Sequence, residues 1–303
     1  MRALSALAAV ILVAAGCSDD TGGSTGTSTT STTTSVPTTL PTTTTTPATS
    51  TTTATTTTTI PTPTPVDQTV FVSVDATLAG WWDGSSWASP DPGGAVVPAV
   101  DGVVMRSVES LPDRTAGPPT ADCMPESGQV FWQIAGMDGV RASGGHDLRP
   151  RALQEIGAAP AHIEAVRSVL TDGGVDASVP VEITRVIRLD VEGDGVDEVL
   201  IEAVRLPDQS RLGNIEEGHY SILVLRRVLA DDSVENITLH AGLADLELAG
   251  QYVLRVDIAE PVDVNGDGSF ELAARWSYYE GGGVSLFDLG PVPSEVLVAG
   301  CGV

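Results

Sequence analysis

Apolar and polar residues begin to alternate at Thr69, and from there the chain reads as a succession of short strands. "TVFVSVDATLAGWWDGSSWAS" alternates the two classes, then sets Asp83-Gly84 between Trp82 and a further short run, a hairpin signal. Residues 90–128 are rich in proline, glycine and aspartate and read as short strands and loops, with "GQVFWQIAG" as another strand. Helical spacing is confined to one stretch. "RPRALQEIG", from Arg149, carries apolar residues near that spacing. "APAHIEAVRSVLTDGG" places Pro160 in a first turn, Ile163, Val166, Val169 and Leu170 on one stripe, and Gly173-Gly174 at the stop. This pattern predicts one helix, broken near Gly157, joining two β-rich parts.

After Gly174 the strands fall into a repeat. "VEITRVIRLD" leads into "DVEGDGVDE" (190–198), followed by "DEVLIEAVRL", "YSILVLRRVL" and "NITLHAG". "QYVLRVDIAE" leads toward "DVNGDGSFE" (263–271), followed by "FELAARWSYY", "GVSLFDLG" and "SEVLVAGCG". Each half is a strand, an acidic loop and three more strands, with the two loops 73 residues apart. Self-similarity at such a period marks a stacked four-stranded unit of the kind that builds propeller blades. Two units are too few to close a propeller. They are expected to pack face to face or to extend one sheet, with the N-terminal part covering an open side. The expectation is a mainly β (α+β) fold: a β-rich region over 67–147, a helical connector over 148–176 and a duplicated β domain over 177–303.

The acidic loops carry the clearest chemistry. Asp263, Asn265 and Asp267 stand at positions 1, 3 and 5, Ser269 can offer a backbone carbonyl at 7, and Glu271 closes at 9. Asp190, Glu192, Asp194, Val196 and Glu198 repeat that register. A hard cation such as Ca²⁺ takes six to eight oxygens, which alternation in a tight loop supplies. Neither loop is an EF-hand, because position 12 is Ala274 in one and Ile201 in the other, and the flanks read as strands. The loops resemble the cation loops of FG-GAP (integrin-type) propeller repeats and the related VCBS repeats. The likeness covers roughly 181–206 and 251–279. It implies a structural Ca²⁺ bound by these ten residues, with an affinity of about 10⁻⁴–10⁻³ M. Glu192 departs from that family's usual Asp or Asn at position 3. Asp, Asn and Gly in this order also make a sound hairpin turn without an ion.

The N-terminus changes where such a domain would sit. An apolar run from Ala3 to Ala15 follows Arg2 and ends in Ala14-Ala15-Gly16-Cys17, which resembles the lipobox of bacterial lipoproteins. The resemblance implies a signal peptide over 1–16, a lipid on Cys17 and anchoring to the outer face of the bacterial cell membrane. Residues 17–66 are mostly threonine, serine, proline, glycine and alanine; such a segment buries too little to offset its ordering entropy and reads as a disordered stalk.

Charge and cysteine usage narrow the picture further. The formal charge is −25 and all fifteen basic residues are arginine, which argues against nucleic acid as a partner. With Cys17 lipidated, Cys123 and Cys301 remain as a disulfide pair in an oxidising compartment, a long closure for which chain entropy predicts about 4–5 kcal/mol. The four histidines lack metal spacing, and no hydrolase or phosphate-loop motif is present, so no catalytic residue is assigned. Two aromatic clusters could meet a ligand: Trp81 and Trp82 (with Trp87) around the Asp83 turn, and Tyr278, Tyr279 and Glu280 before three glycines. Core packing and a tight strand turn are the respective alternatives. The expected function is a non-enzymatic binding or adhesion module for an extracellular glycan or protein. A secreted hydrolase of cell-wall or environmental polysaccharide, and an envelope protein with a structural role and no ligand, stand beside it.

Overall fold

The computed structural model describes residues 68–90, 98–123, 131–207, 215–229, 231, 233–244 and 252–302. The expected signal peptide, Cys17 and the stalk lie outside the described residues. The fold is mainly β, with one helix among the described residues, and its sheets are antiparallel.

Eight short strands make the N-terminal sheet: β1 (Val70–Val74), β2 (Thr77–Trp82), β3 (Trp87–Ala88), β4 (Val104–Ser107), β5 (Arg114–Thr115), β6 (Thr120–Asp122), β7 (Phe131–Gln133) and β8 (Val140–Ala142). Their order is β5-β4-β8-β1-β2-β7-β6, with β3 added on β2. The Asp83 turn joins β2 to β3, and its carboxylate accepts the Ser85 and Ser86 N–H groups, both at 2.8 Å. A second hairpin, between β1 and β2, turns on Asp75 and Ala76 at φ 45° and 68°.

The duplicated region follows the expected order. Strands β10 (Ile183–Leu189), β11 (Glu198–Arg205), β12 (Tyr220–Val228) and β13 (Val234–Leu243) form one meander; β14 (Arg255–Val262), β15 (Glu271–Tyr278), β16 (Gly281–Asp288) and β17 (Ser294–Cys301) form the other. The registers correspond: Leu189 pairs with Glu198 and Val262 with Glu271, so each acidic loop closes the same hairpin at the same rung.

The connector differs from the expectation. The stretch after Arg149 is no helix but a short edge strand, β9 (Leu153–Glu155), paired with β10. Between Pro150 and Gly157 only two short turns of helix would fit, whereas the open edge of β10 offers ladder bonds such as Ile156 N–H to Val186 C=O at 3.0 Å. The helix, α1, is confined to Pro160–Asp172. It buries His162, Ala165, Val166 and Leu170 and leaves Ile163 exposed, so its buried stripe is rotated by one residue from the expected one. His162 Nδ1 accepts the Ala159 N–H at 3.0 Å and so closes the first turn.

Four apolar clusters show how the layers stack. Phe71, Leu78, Met105, Trp132 and Ile134 fill the inside of the N-terminal sheet. Its other face (Val70, Val72, Val74, Val140) packs on Val262, Ala273, Leu286 and Leu297 of the second meander. The far face of that meander (Val256, Ile258, Leu272, Phe287) meets Ile187, Leu189, Leu200 and Leu223 of the first. Helix α1 covers the remaining face through Val166 and Leu170 against Ile201 and Ile222. The two repeats therefore pack face to face, and the second is the middle layer.

Candidate functional site

Both acidic loops fold the same way locally. In the second, Asp263 takes the Gly266 N–H at 2.7 Å and the Gly268 N–H at 3.0 Å on its two oxygens, and Glu271 takes the Val264 N–H at 2.7 Å. In the first, Asp190 takes Gly193 at 2.7 Å and Gly195 at 3.0 Å, and Glu198 takes Val191 at 2.9 Å. Glycines at positions 4 and 6 have φ of 72° and 82° in one loop and 78° and 88° in the other, a conformation that disfavours other residues. Position 5 also matches: Asp267 takes the Ser269 N–H at 2.7 Å and Asp194 the Val196 N–H at 2.8 Å.

Their surroundings diverge. The second loop sits inside the middle layer, with Asp263 at 3 %, Asn265 at 5 % and Glu271 at 1 % exposure, and Phe270 buried at position 8. Its backbone is tied on both sides: Asp263 N–H to Leu148 C=O at 2.9 Å, and Phe270 N–H to Val191 C=O of the first loop at 3.1 Å. His146 Nε2 lies 2.8 Å from the Asp263 carbonyl. Among the described residues no ion pair reaches Asp263, Asp267 or Glu271. Burial pushes the Asp263 carboxyl up to about 6 and the Glu271 carboxyl well above its usual range, with the neighbouring carboxylates adding to both.

The first loop is more open at its tip, where Asp194, Val196 and Asp197 are exposed, and it is edged by arginines. Glu192, at position 3, meets Arg227 at 2.9 Å. Arg151 donates to the Asp190 and Val191 carbonyls, both at 2.7 Å, with its guanidinium 5.0 Å from the centre of the Phe270 ring. Arg188 pairs with Asp197 at 3.2 Å. Glu198 is nonetheless buried, which pushes its carboxyl up to about 7.

Among the described residues no three carboxylate, imidazole or thiol side chains converge as a formed metal centre; the loop carboxylates turn onto backbone N–H groups instead. As a donor set the second loop fits a hard cation, since it offers oxygens alone and buries two carboxylates with no arginine paired to them and only His146 as a nearby basic group among the described residues. The first loop fits less well, because its position-3 carboxylate is turned to a guanidinium.

A second feature lies at the other end of β15, roughly 23 Å along the strand from Glu271. A cleft of about 500 Å³ is walled by Tyr252, Trp276, Tyr278 and Phe131, with Ser285 and Glu295 as polar members. Trp276 and Tyr278 point to one face of β15. Trp276 stands opposite Gly283, which stands opposite Gly300, and a Cβ at either glycine would collide with the indole. The Tyr278 hydroxyl likewise fills the place of a Cβ at Gly302. The glycines are thus the floor on which the rings lie. Tyr252 stacks on Tyr278 at 4.4 Å and 19°, and Trp276 lies 6.3 Å from Tyr278 at 16°. The indole N–H of Trp276 is buried without an acceptor among the described residues.

Of the expected ligand-facing residues only Tyr278 lines this cleft. Tyr279 and Glu280 form the exposed β15–β16 turn, with Tyr279 bonded to Glu280. Trp82 is buried in the core with its ring 5.2 Å from Trp87, and Trp81 packs on Phe71 at 5.9 Å. Trp276, Tyr252, Phe131 and Glu295 were not singled out by the sequence. The signal for the first was a period-two aromatic pair, Trp276 and Tyr278, facing a glycine run across the hairpin. Cys123 and Cys301 are joined as the expected disulfide, Cα atoms 5.7 Å apart, which ties the β6 edge of the N-terminal sheet to β17 beside the cleft. No family model, curated protein or solved structure matches this chain.

Proposed function

We propose that the protein is an exported, lipid-tethered recognition module that binds a carbohydrate in the cleft of Tyr252, Trp276 and Tyr278. The cleft is the observation that carries this reading. Aromatic faces stack on the apolar faces of sugar rings, Ser285 and Glu295 line the cleft as polar partners, and a volume of about 500 Å³ suits a short saccharide. No basic side chain lines it and Glu295 does, so a neutral or amino sugar suits it better than an acidic one. Glycoside hydrolysis uses two carboxylates, and Glu295 is the one carboxylate among the described lining residues, so recognition matches better than hydrolysis. The lipobox-like ending at Cys17 and the threonine-rich stalk support display outside the cell. The buried carboxylates of Asp263 and Glu271 and the half-buried one of Asp267 support a structural Ca²⁺ in the second loop, with Asn265 and the Ser269 carbonyl completing the oxygen set.

A glycan array with the full-length protein tests the reading. The expected result is binding to a neutral or amino glycan that falls roughly five- to thirtyfold in Trp276→Ala, one stacked ring being worth roughly 1–2 kcal/mol. No glycan bound, or Trp276→Ala binding as well as the wild type, overturns it. Mass spectrometry of the mature N-terminus tests the tether: an unmodified Cys17 removes it.

A further inference from the structure

We infer that the first acidic loop is closed by the guanidinium of Arg227 in place of a metal ion, so that the chain takes up one calcium ion and not two. Only the calcium count rests on the reading of the second loop given above.

The argument starts from position 3, where the two loops part. In the second loop Asn265 stays within the turn: its Oδ1 accepts the Asp267 N–H at 2.8 Å and its Nδ2 donates to Asp267 at 3.1 Å. In the first loop the longer Glu192 reaches out to Arg227, 2.9 Å away. Arg227 belongs to β12 of the same repeat and is only 8 % exposed. Its guanidinium also donates to the carbonyls of Leu289, Gly290 and Pro291, at 2.6, 2.9 and 3.3 Å, in the turn between β16 and β17 of the other repeat. One carboxylate and three carbonyls surround the two terminal nitrogens of this buried guanidinium and balance its charge, while its Nε–H has no acceptor among the described residues. It joins the first loop to the opposite sheet, as a bound ion would join the strands of its own hairpin. Arg151 adds a second positive charge, 4.0 Å from Asp190 Oδ2 and bonded to the loop backbone. A divalent ion in this loop would have to sit beside two guanidinium groups and recover Glu192 from one of them. Neither obstacle is present at the second loop, whose carboxylates face no arginine among the described residues. The duplication has thus kept one backbone turn and supplied its positive charge in two ways.

Calorimetric titration of CaCl₂ into the metal-free full-length protein tests the assignment. The expected stoichiometry is one ion per chain, lost by at least about tenfold in affinity in Asp267→Asn and changed less than about twofold in Asp194→Asn. Two ions per chain, or a tenfold loss in Asp194→Asn, overturns the assignment and leaves the calcium reading of the second loop standing. No binding at all overturns that reading instead, and the clasp is then decided by melting without calcium. Arg227→Gln is expected to melt roughly 6–15 °C below the wild type, with Arg227→Lys between them. Should Arg227→Gln fail to fold, Glu192→Gln keeps the three carbonyl contacts and is expected to melt roughly 2–4 °C lower. A variant that melts with the wild type overturns the clasp.

Discussion

The two acidic loops share a register, a pair of left-handed glycines and the same N–H to carboxylate bonds, yet they occupy different physical worlds. The second is wedged in the middle layer, with a phenylalanine at position 8, two of its carboxylates buried and none of them paired with an arginine among the described residues. The first has an exposed tip, an aspartate at position 8 and arginines at its rim. A nine-residue motif specifies its own turn. Whether its carboxylates end beside water, a guanidinium or an ion depends on the neighbour against which that turn is packed.

Position 8 gives the strongest way to break this comparison. Phe270 is fully buried between the two meanders, whereas Asp197 is half exposed in a surface pair with Arg188. Phe270→Ala is expected to cost about 3–5 kcal/mol and Asp197→Ala within about 0.5 kcal/mol, by chemical denaturation. Equal losses would mean that the loops do not differ in load. The second repeat is also the one held covalently. Replacing Cys123 and Cys301 by serine is expected to lower stability by about 2–5 kcal/mol, read from the melting curve. An unchanged curve would remove the disulfide from this account.

A pH dependence in calcium-free buffer tests the same carboxylates. Folded-state pKa values of about 6 for Asp263 and about 7 for Glu198 lie above the ordinary 3.8 and 4.5, and burial raises the Glu271 carboxyl well above its ordinary range too. The folded protein then holds protons that the unfolded chain has released, so stability is greatest below the ordinary carboxyl range and falls as pH rises through 6 and 7. The slope is up to about 1.4 kcal/mol per pH unit for each proton. Denaturation midpoints between pH 5 and 8 are expected to vary less with pH in Glu271→Gln and in Glu198→Gln than in the wild type, and a variant that keeps the wild-type slope would remove its carboxylate from this account.

Much of the fold was legible because its signals are local. The hairpin at Asp83, the four-strand period and the pairing of each loop with its closing glutamate follow from alternation and turn residues. The misreadings come from places where a distant partner decides. Residues 153–155 became a strand because β10 offered an open edge, and apolar spacing alone could not report that. Asp75 and Ala76 made a turn without glycine, so the run from Thr69 to Trp82 read as unbroken. Trp81 and Trp82 stood out as a pair but were drawn into packing, while Trp276 passed unnoticed although the glycines it covers were in plain view.

By itself the sequence determined the mainly β class, the duplication, the shape of both loop turns and the cysteine pair. These rest on alternation, left-handed glycines, carboxylate-to-backbone bonds and, for the cysteines, on the lipobox-like setting of Cys17, which leaves two of the three to pair. The tertiary structure alone decided that the second repeat is the middle layer, that Arg227 joins Glu192 of its own repeat to the Leu289–Pro291 carbonyls of the other, and that Trp276, Tyr278 and Tyr252 gather over a glycine floor. Burial and charge pairing depend on which surfaces meet, and residues far apart in the chain carry no local mark of that meeting.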